Sequence, residues 1–313
     1  MKRILLTHLI CPDCLPEEVG LEEMVFKETE GDILAGRLSC PACKADYPVE
    51  DGIACLLPTG ADQLSAGDNK YELPEVVSSY LWSHYADLVN EENISDAYAQ
   101  WAAKIHPFKG LAIDAGAAVG RFAFDLAQMG GMAVGLDTSL AFIRTARMLM
   151  AERRLTVPLK EEGDITRPFE VQLPGQWRLD NVEFIVADAL ALPFSQSSAE
   201  VVSSLNLVDK VSVPYRHLAE ANRVAQDSGA QFLLSDPFSW SEDAAEKGNW
   251  LGGHVNGPFT GRGLDNIAAL LGDGKDVFAP PWDVLETGRV WWKIRTHANH
   301  FEQIQSCWLL ARR

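Results

Sequence analysis

The chain has 313 residues, 47% of them hydrophobic, enough to bury one full α/β core and carry a smaller module beside it. Its 44 Asp and Glu stand against 27 Lys and Arg, a formal charge of −17 with no Lys/Arg cluster, and such a surface repels a phosphate backbone. No apolar run reaches the ~18 residues of a membrane span, and the opening "MKRILLTHLICPDC" lacks a small-residue cleavage site, so the expectation is a cytoplasmic protein.

The first 60 residues read as a metal module. "CPDC" and "CPAC" place Cys11, Cys14, Cys40 and Cys43 as two C-x-x-C pairs with 25 residues between them. Each pair makes a tight knuckle with two thiolates facing one ion, and two knuckles close a tetrahedral four-sulfur site. Zinc suits that set, although iron accepts the same ligands; a closed site has no open position for water and is structural. Cys55 and Cys307 sit among apolar neighbours and read as packing. The segment that follows the second knuckle, "KADYPVEDGIACLLP", resembles a family of small zinc-ribbon proteins that act as activating partners of methyltransferases. Tyr47, Pro48, Asp51, Gly52, Ile53, Leu56, Leu57 and Pro58 carry that resemblance. Eleven acids against five Lys and Arg make the ribbon acidic, which favours a structural or protein-docking role over nucleic-acid reading.

A polar Gly/Ser/Asp stretch marks a linker at 61–70, and residues 71–313 form the second expected domain. Helical periodicity starts in "LPEVVSSYLWSHYADL" and returns in "DAYAQWAAKI". Strand and helix then alternate: "GLAIDAG" and "RFAFDLAQMG", "GMAVGLD" and "SLAFIRTARMLMAER", "VEFIVAD", "AEVVSSLNLV" and "YRHLAEANRVA", "AQFLLSD" and "LDNIAALLG". Two late strands, "GRVWWKIRTH" and "QIQSCWLLA", close the chain, and 156–182 is too long for a connection and reads as an insertion with its own structure. The expectation is an α/β fold: a doubly wound, mostly parallel, seven-stranded Rossmann-like sheet with an antiparallel C-terminal hairpin, plus the small ribbon.

The strand "GLAIDAG" ends in "DAGAAVGR", a turn built to hold a ligand. A P-loop would need a lysine and a hydroxyl that are absent. A dinucleotide would need a middle glycine where Ala118 stands, and would meet Asp114 beside its pyrophosphate. S-adenosylmethionine (SAM) brings an ammonium, a carboxylate and a sulfonium instead. Asp114 suits the cationic end, Gly116 and Gly120 let methionine lie along the turn, and the helix start offers N–H groups to the carboxylate. About 20 residues on, Asp137 with Thr138 ends the next strand, where an acid takes both ribose hydroxyls. Asp188, beside the backbone of Ala189, suits the adenine amine, and Asn206 ends the fourth strand facing the transferable methyl. All lie at the C-terminal ends of consecutive strands, where open α/β sheets bind ligands.

From Tyr71 onward the chain resembles the methyltransferase domain at the C-terminus of ovothiol-biosynthesis proteins. "SSYLWSHYADL", "DAGAAVGRFAFDLAQ", "KEEGDI", "LPG" and "SDPFSWSED…GNWLGG" carry the resemblance, the last being absent from methyltransferases in general. It implies transfer of a methyl group to a small-molecule acceptor, a ring nitrogen of a histidine-derived thiol. Ala117 replaces the family's loop cysteine, the C-terminus follows the family only loosely, and the ribbon is extra; these departures bear on the acceptor rather than on the fold. Around the site stand Tyr80, His84, Tyr85, Asp209, Trp250 and His254, of which Tyr85 and His254 lie in matched segments and are the expected catalytic pair. Two competing readings are an rRNA or tRNA base methyltransferase, since one bacterial rRNA guanine methyltransferase family also puts a zinc ribbon before this fold, and a non-catalytic SAM-binding scaffold.

Overall fold

The computed structural model describes residues 1–60, 69–89, 91–273 and 278–313, so residues 61–68 of the expected linker lie outside the described residues. The chain opens with an antiparallel meander: β1 (Glu22–Thr29), β2 (Asp32–Ser39), β3 (Asp46–Glu50) and β4 (Ile53–Leu56). Asp51 and Gly52 make the two-residue turn between β3 and β4, both with positive φ (49° and 76°). That is the left-handed pair that an Asp-Gly hairpin turn supplies.

Two helices follow, α1 (Pro74–Tyr85) and α2 (Ala97–Ala102). The alternating part then runs β5 (Leu111–Ala115), α3 (Arg121–Ala127), β6 (Met132–Asp137), α4 (Leu140–Glu152), β7 (Arg154–Glu162), β8 (Ile165–Gln172) and β9 (Val182–Ala187). It continues through β10 (Ala199–Leu205), α5 (Pro214–Val224), β11 (Gln231–Asp236) and α6 (Gly263–Asp273) to the closing strands β12 (Asp283–His297) and β13 (His300–Arg312). Helix α4 illustrates the local logic. Ser139 caps it by accepting from the Phe142 N–H at 3.2 Å, and Phe142, Ile143, Ala146, Leu149 and Met150 return to one face at the helical period and are buried.

One sheet holds eleven strands in the order β1-β2-β3-β4-β9-β6-β5-β10-β11-β13-β12. The expected count of seven strands is thereby corrected, because the N-terminal meander joins the sheet: β4 pairs in parallel with β9, Cys55 opposite Val186 and Leu56 opposite Ala187. Strand β9 would otherwise be an edge with unpaired N–H and C=O groups, and the ribbon supplies its missing neighbour. Its six residues are all buried, including Glu183, which meets Arg147 of α4 and the Lys2 backbone N–H. The ribbon's Leu5, Leu9, Tyr47 and Leu56 share one core with Leu192, Phe194, α5 and α6, while α1 to α4 bury a second core on the sheet's other face.

The segment 156–182 contains most of the separate antiparallel β7-β8 pair and leads into β9, in keeping with an insertion. The closing hairpin pairs with β11 antiparallel as expected, but reaches further than an edge. Residues 290–306 extend beyond the Asp236–Cys307 pair, the last between β11 and β13. The Ser83 hydroxyl of α1 donates to the Lys293 carbonyl at 2.6 Å, the Ser95 hydroxyl to the Trp291 carbonyl at 2.7 Å, and Arg295 to the Lys160 carbonyl at 2.8 Å. Trp82 and Phe301 add a ring contact at 5.4 Å. The hairpin is thus tied to α1 and to β7.

Candidate active site

Strand order reverses at β5, between β6 and β10, and ligands in open α/β sheets bind beyond the strand ends at such a point. The turn after β5 is fixed by its backbone. The N–H groups of Gly116 and Ala117 both donate to the Leu136 carbonyl at 2.9 Å, and that of Gly120 to Ala117 at 2.8 Å. Gly116 and Gly120 have φ of 74° and 87°, and a Cβ on Gly120 would lie 2.6 Å from the Phe184 ring. Both positions therefore need glycine. Ala118 occupies the left-handed region at φ 45° and donates its N–H to Asp137 Oδ2 at 3.0 Å, so the loop keeps its shape without a middle glycine.

Asp114 lies beneath this turn, 2% exposed. Its Oδ1 accepts from the Ser203 hydroxyl at 2.7 Å, while Oδ2 is buried without a partner. Burial raises its pKa to about 7, opposed by the Ser203 hydrogen bond. Asp137 is half-buried, its Oδ1 accepting from the Ser139 N–H at 2.9 Å. Each oxygen has one backbone partner and so retains a lone pair for a ribose hydroxyl. Burial raises this carboxyl to about 6, with the Ser139 and Ala118 N–H groups pulling the other way. Thr138 is exposed beside it.

Asp188 follows β9, half-buried, with Oδ1 accepting from the Leu190 N–H at 2.8 Å. The Ala189 carbonyl lies 3.3 Å from His217 Nδ1, and His217 Nε2 lies 2.8 Å from the Ser204 hydroxyl. Burial lowers His217 to about 4 and keeps it neutral, so Nδ1 donates and Nε2 accepts. Asn206 follows β10 at φ 57°, its N–H donating to the Ser235 carbonyl at 2.6 Å and its Oδ1 accepting from the Ser306 hydroxyl at 2.6 Å.

The two expected catalytic residues part company. Tyr85 is fully buried, and its hydroxyl donates to the Val119 carbonyl at 2.7 Å. Its one proton is committed to the glycine turn and burial pushes its pKa well above the ordinary range, so the catalytic expectation is corrected: Tyr85 braces the loop. His254 is half-buried on the loop after "GNWLGG", its ring 6.0 Å from Trp250. Trp250 in turn lies nearly parallel to Trp240 at 6.3 Å, and Trp240 meets Phe238 at 5.9 Å. This aromatic row leaves the end of β11 through the Ser239 N–H, which donates to Asp209 Oδ2 at 2.7 Å. Asp209 itself is 1% exposed. Tyr80 packs against Tyr71 and Phe142, and His84, lowered by burial to about 3, pairs with the Tyr98 hydroxyl at 2.7 Å.

Three supporting groups escape the sequence reading. Arg121 grips Asp87 with two nitrogens at 2.5 and 2.9 Å, Asp125 at 3.1 Å and the His84 carbonyl at 2.7 Å, tying α1 to α3. Its place directly after Gly120 was the available signal. Ser203 and Ser306 had none, because each partner is set by strand register.

In the ribbon, the four sulfurs of Cys11, Cys14, Cys40 and Cys43 lie within 4.8 Å of one another, with Cys11–Cys43 and Cys14–Cys40 at 3.6 Å. A tetrahedron with metal–sulfur bonds of about 2.3 Å has sulfurs about 3.8 Å apart, so the cluster fits zinc. The Tyr47 hydroxyl lies 3.1 Å from Cys11 Sγ and donates to Asp13 at 2.6 Å.

Residues 113–233 match a family described as a methyltransferase domain. The matched segment takes in the glycine turn, Asp137, Asp188 and Asn206. No curated protein matches the sequence. Among solved structures, the chain is similar to a SAM-dependent methyltransferase from Methanosarcina mazei (17% identity, 66% of this chain and 92% of that one, TM-score 0.42). It is similar as well to the magnesium protoporphyrin IX methyltransferase of Synechocystis PCC 6803 with bound SAH (16%, 69% and 80%, TM-score 0.41). A third similarity is to the Haloferax volcanii complex between a methyltransferase activator and a proposed methyltransferase (14%, 76% and 93%, TM-score 0.43). No helix among the described residues is long and apolar enough to cross a membrane.

Proposed function

We propose that the protein transfers the methyl group of SAM to a small, flat acceptor, a ring nitrogen of a histidine-derived thiol. One observation carries the cofactor assignment. Asp137, Asp188 and Asn206 stand half-buried at the ends of neighbouring strands around the glycine turn, at the point where strand order reverses. In this reading Gly116 and Gly120 admit the methionine portion, and the carboxyl of Asp114 sets negative charge beneath the turn for its ammonium. Asp137 takes the ribose, and Asp188 with Ala189 takes the adenine. SAM supplies an already activated methyl, so the protein contributes alignment and removal of the acceptor's proton. The row Phe238, Trp240, Trp250 and His254 suits a flat acceptor, and His254 is its titratable member. Zinc in the four-cysteine site is structural, and the ribbon's docking role is met within the chain by β9.

The test is calorimetric titration with SAM and S-adenosylhomocysteine, with metal content measured on the same sample. Micromolar binding of both with one zinc per chain is expected. His254→Ala is expected to cut turnover on thiol-imidazole acceptors by about 100-fold with cofactor affinity unchanged. Absence of binding by folded, metal-loaded protein would reduce the glycine loop to a tight turn.

A further inference from the structure

The side chain of Asn206 is held one way round by residues of the closing hairpin. The Trp292 indole N–H can only donate, and it donates to the Ser306 hydroxyl oxygen at 3.1 Å. Ser306 is fully buried, so no solvent reaches its hydroxyl proton. The group that this proton meets is Asn206 Oδ1, at 2.6 Å. Turning the amide over would point Nδ2 at Ser306 and leave a buried hydroxyl proton without an acceptor. The left-handed backbone of Asn206, anchored to the Ser235 carbonyl, fixes where the amide starts from. The amide nitrogen donates to no group among the described residues and is not sealed from solvent.

We propose that Trp292 and Ser306 are positioning residues that make Asn206 present two N–H donors, and no acceptor, to the methyl acceptor. This rests on the reading of Asn206 as the residue facing the transferable methyl. The consequence is a substrate class. An acceptor with a carboxylate, carbonyl, thiolate or bare ring nitrogen beside its nucleophile is matched by the amide. One that brings an ammonium or a primary amine there is opposed, since donor meets donor. The polarity runs against the formal net charge of the molecule, −17. A preference for an anion must therefore come from the site.

The experiment uses the full-length, metal-loaded protein saturated with S-adenosylhomocysteine. Two probes are titrated at physiological salt: imidazole-4-carboxylate and 4-(aminomethyl)imidazole. Wild type is expected to favour the carboxylate by about tenfold or more, the scale of a hydrogen bond to a charged group. Asn206→Asp, nearly isosteric, keeps the Ser306 bond and offers an anionic oxygen in place of the amide nitrogen, so the preference reverses. Ser306→Ala frees the amide to turn, and the preference shrinks to within about threefold while S-adenosylhomocysteine affinity is unchanged. Equal, undetectable or amine-favouring binding by wild type overturns the proposal, as does an unchanged preference in Asn206→Asp. Loss of S-adenosylhomocysteine binding by wild type would instead overturn the cofactor reading, and the probe preference, measured without cofactor, would still report the amide.

Discussion

Asp137 is the residue where protonation meets the proposed ribose contact. Burial lifts its carboxyl to about 6, and the N–H groups of Ser139 and Ala118 limit the rise. Because the folded value lies above the ordinary 3.8, ionising it costs stability, and this cost develops as pH climbs from about 4 through about 6. Ribose hydroxyls need the ionised form as acceptor, so affinity follows the opposite course. S-adenosylhomocysteine affinity is expected to fall as pH drops from 7.5 to 5.5, by up to about tenfold per pH unit below the group's pKa. The Asp137→Asn variant offers a single accepting oxygen there and should bind weakly, with the pH dependence gone. Calorimetry at four pH values checks both, and a flat wild-type profile would remove the ribose from this carboxylate. The places of Asp137, Asp188 and Asn206 at strand ends were legible in the sequence because each ends an apolar run. Tyr85 was legible as an aromatic near the site, but not in direction: helix spacing gives the face of α1, while its bond to Val119 depends on how α1 lies over the loop.

At the scale of elements, the alternating strands and helices could be read because each buried strand is a short apolar run and each helix carries one apolar face. What could not be read is register. The closing pair showed as two strands, but its overhang, and with it the Ser306–Asn206 bond, follows from Cys307 falling opposite Asp236. The joint between α1 and α3 has the same character. Arg121 is 3% exposed, bonded to Asp87 and Asp125, and its guanidinium lies 5.8 Å from the Tyr85 ring centre. Its attraction to Asp125 opposes the burial that lifts that carboxyl to about 7. Arg121→Met keeps much of the volume and leaves both acids without their cation. Truncating one side of a buried pair costs about 3–5 kcal/mol, so the urea midpoint should fall steeply at neutral pH and recover in part toward pH 5, as Asp125 protonates. A midpoint within the scatter of wild type would show that α1 is held by its apolar face alone.

At the scale of the whole molecule, the ribbon and the cofactor site are joined through one strand pair. The sequence announced the four-cysteine cluster through its C-x-x-C spacing, and the apolar "GIACLLP" segment gave no sign of which edge it would cover. Strand β4 lies against β9 up to Leu56–Ala187, and the next residue of that chain is Asp188. On the other side, Asp13 stands within the first knuckle, accepts from the Tyr47 hydroxyl, and takes the Thr59 N–H at 2.7 Å three residues after β4. Metal held by the four cysteines would therefore fix a knuckle that fixes the end of β4, and β4 supports the strand that ends at Asp188, the carboxylate proposed for adenine. Removing the metal with a chelator is expected to lower the melting temperature and to weaken S-adenosylhomocysteine binding together, by about tenfold in affinity, the usual scale of coupling between sites. Cys43 is exposed, so Cys43→Ser removes a ligand with little loss of packing and should reproduce both effects. An independent ribbon would behave otherwise: it would melt in a separate, earlier transition and leave cofactor affinity where it was. The shared core of Leu5, Leu9 and Leu56 with Leu192 and Phe194 argues for the first outcome, since a unit that buries its apolar face against a neighbour does not unfold without exposing both.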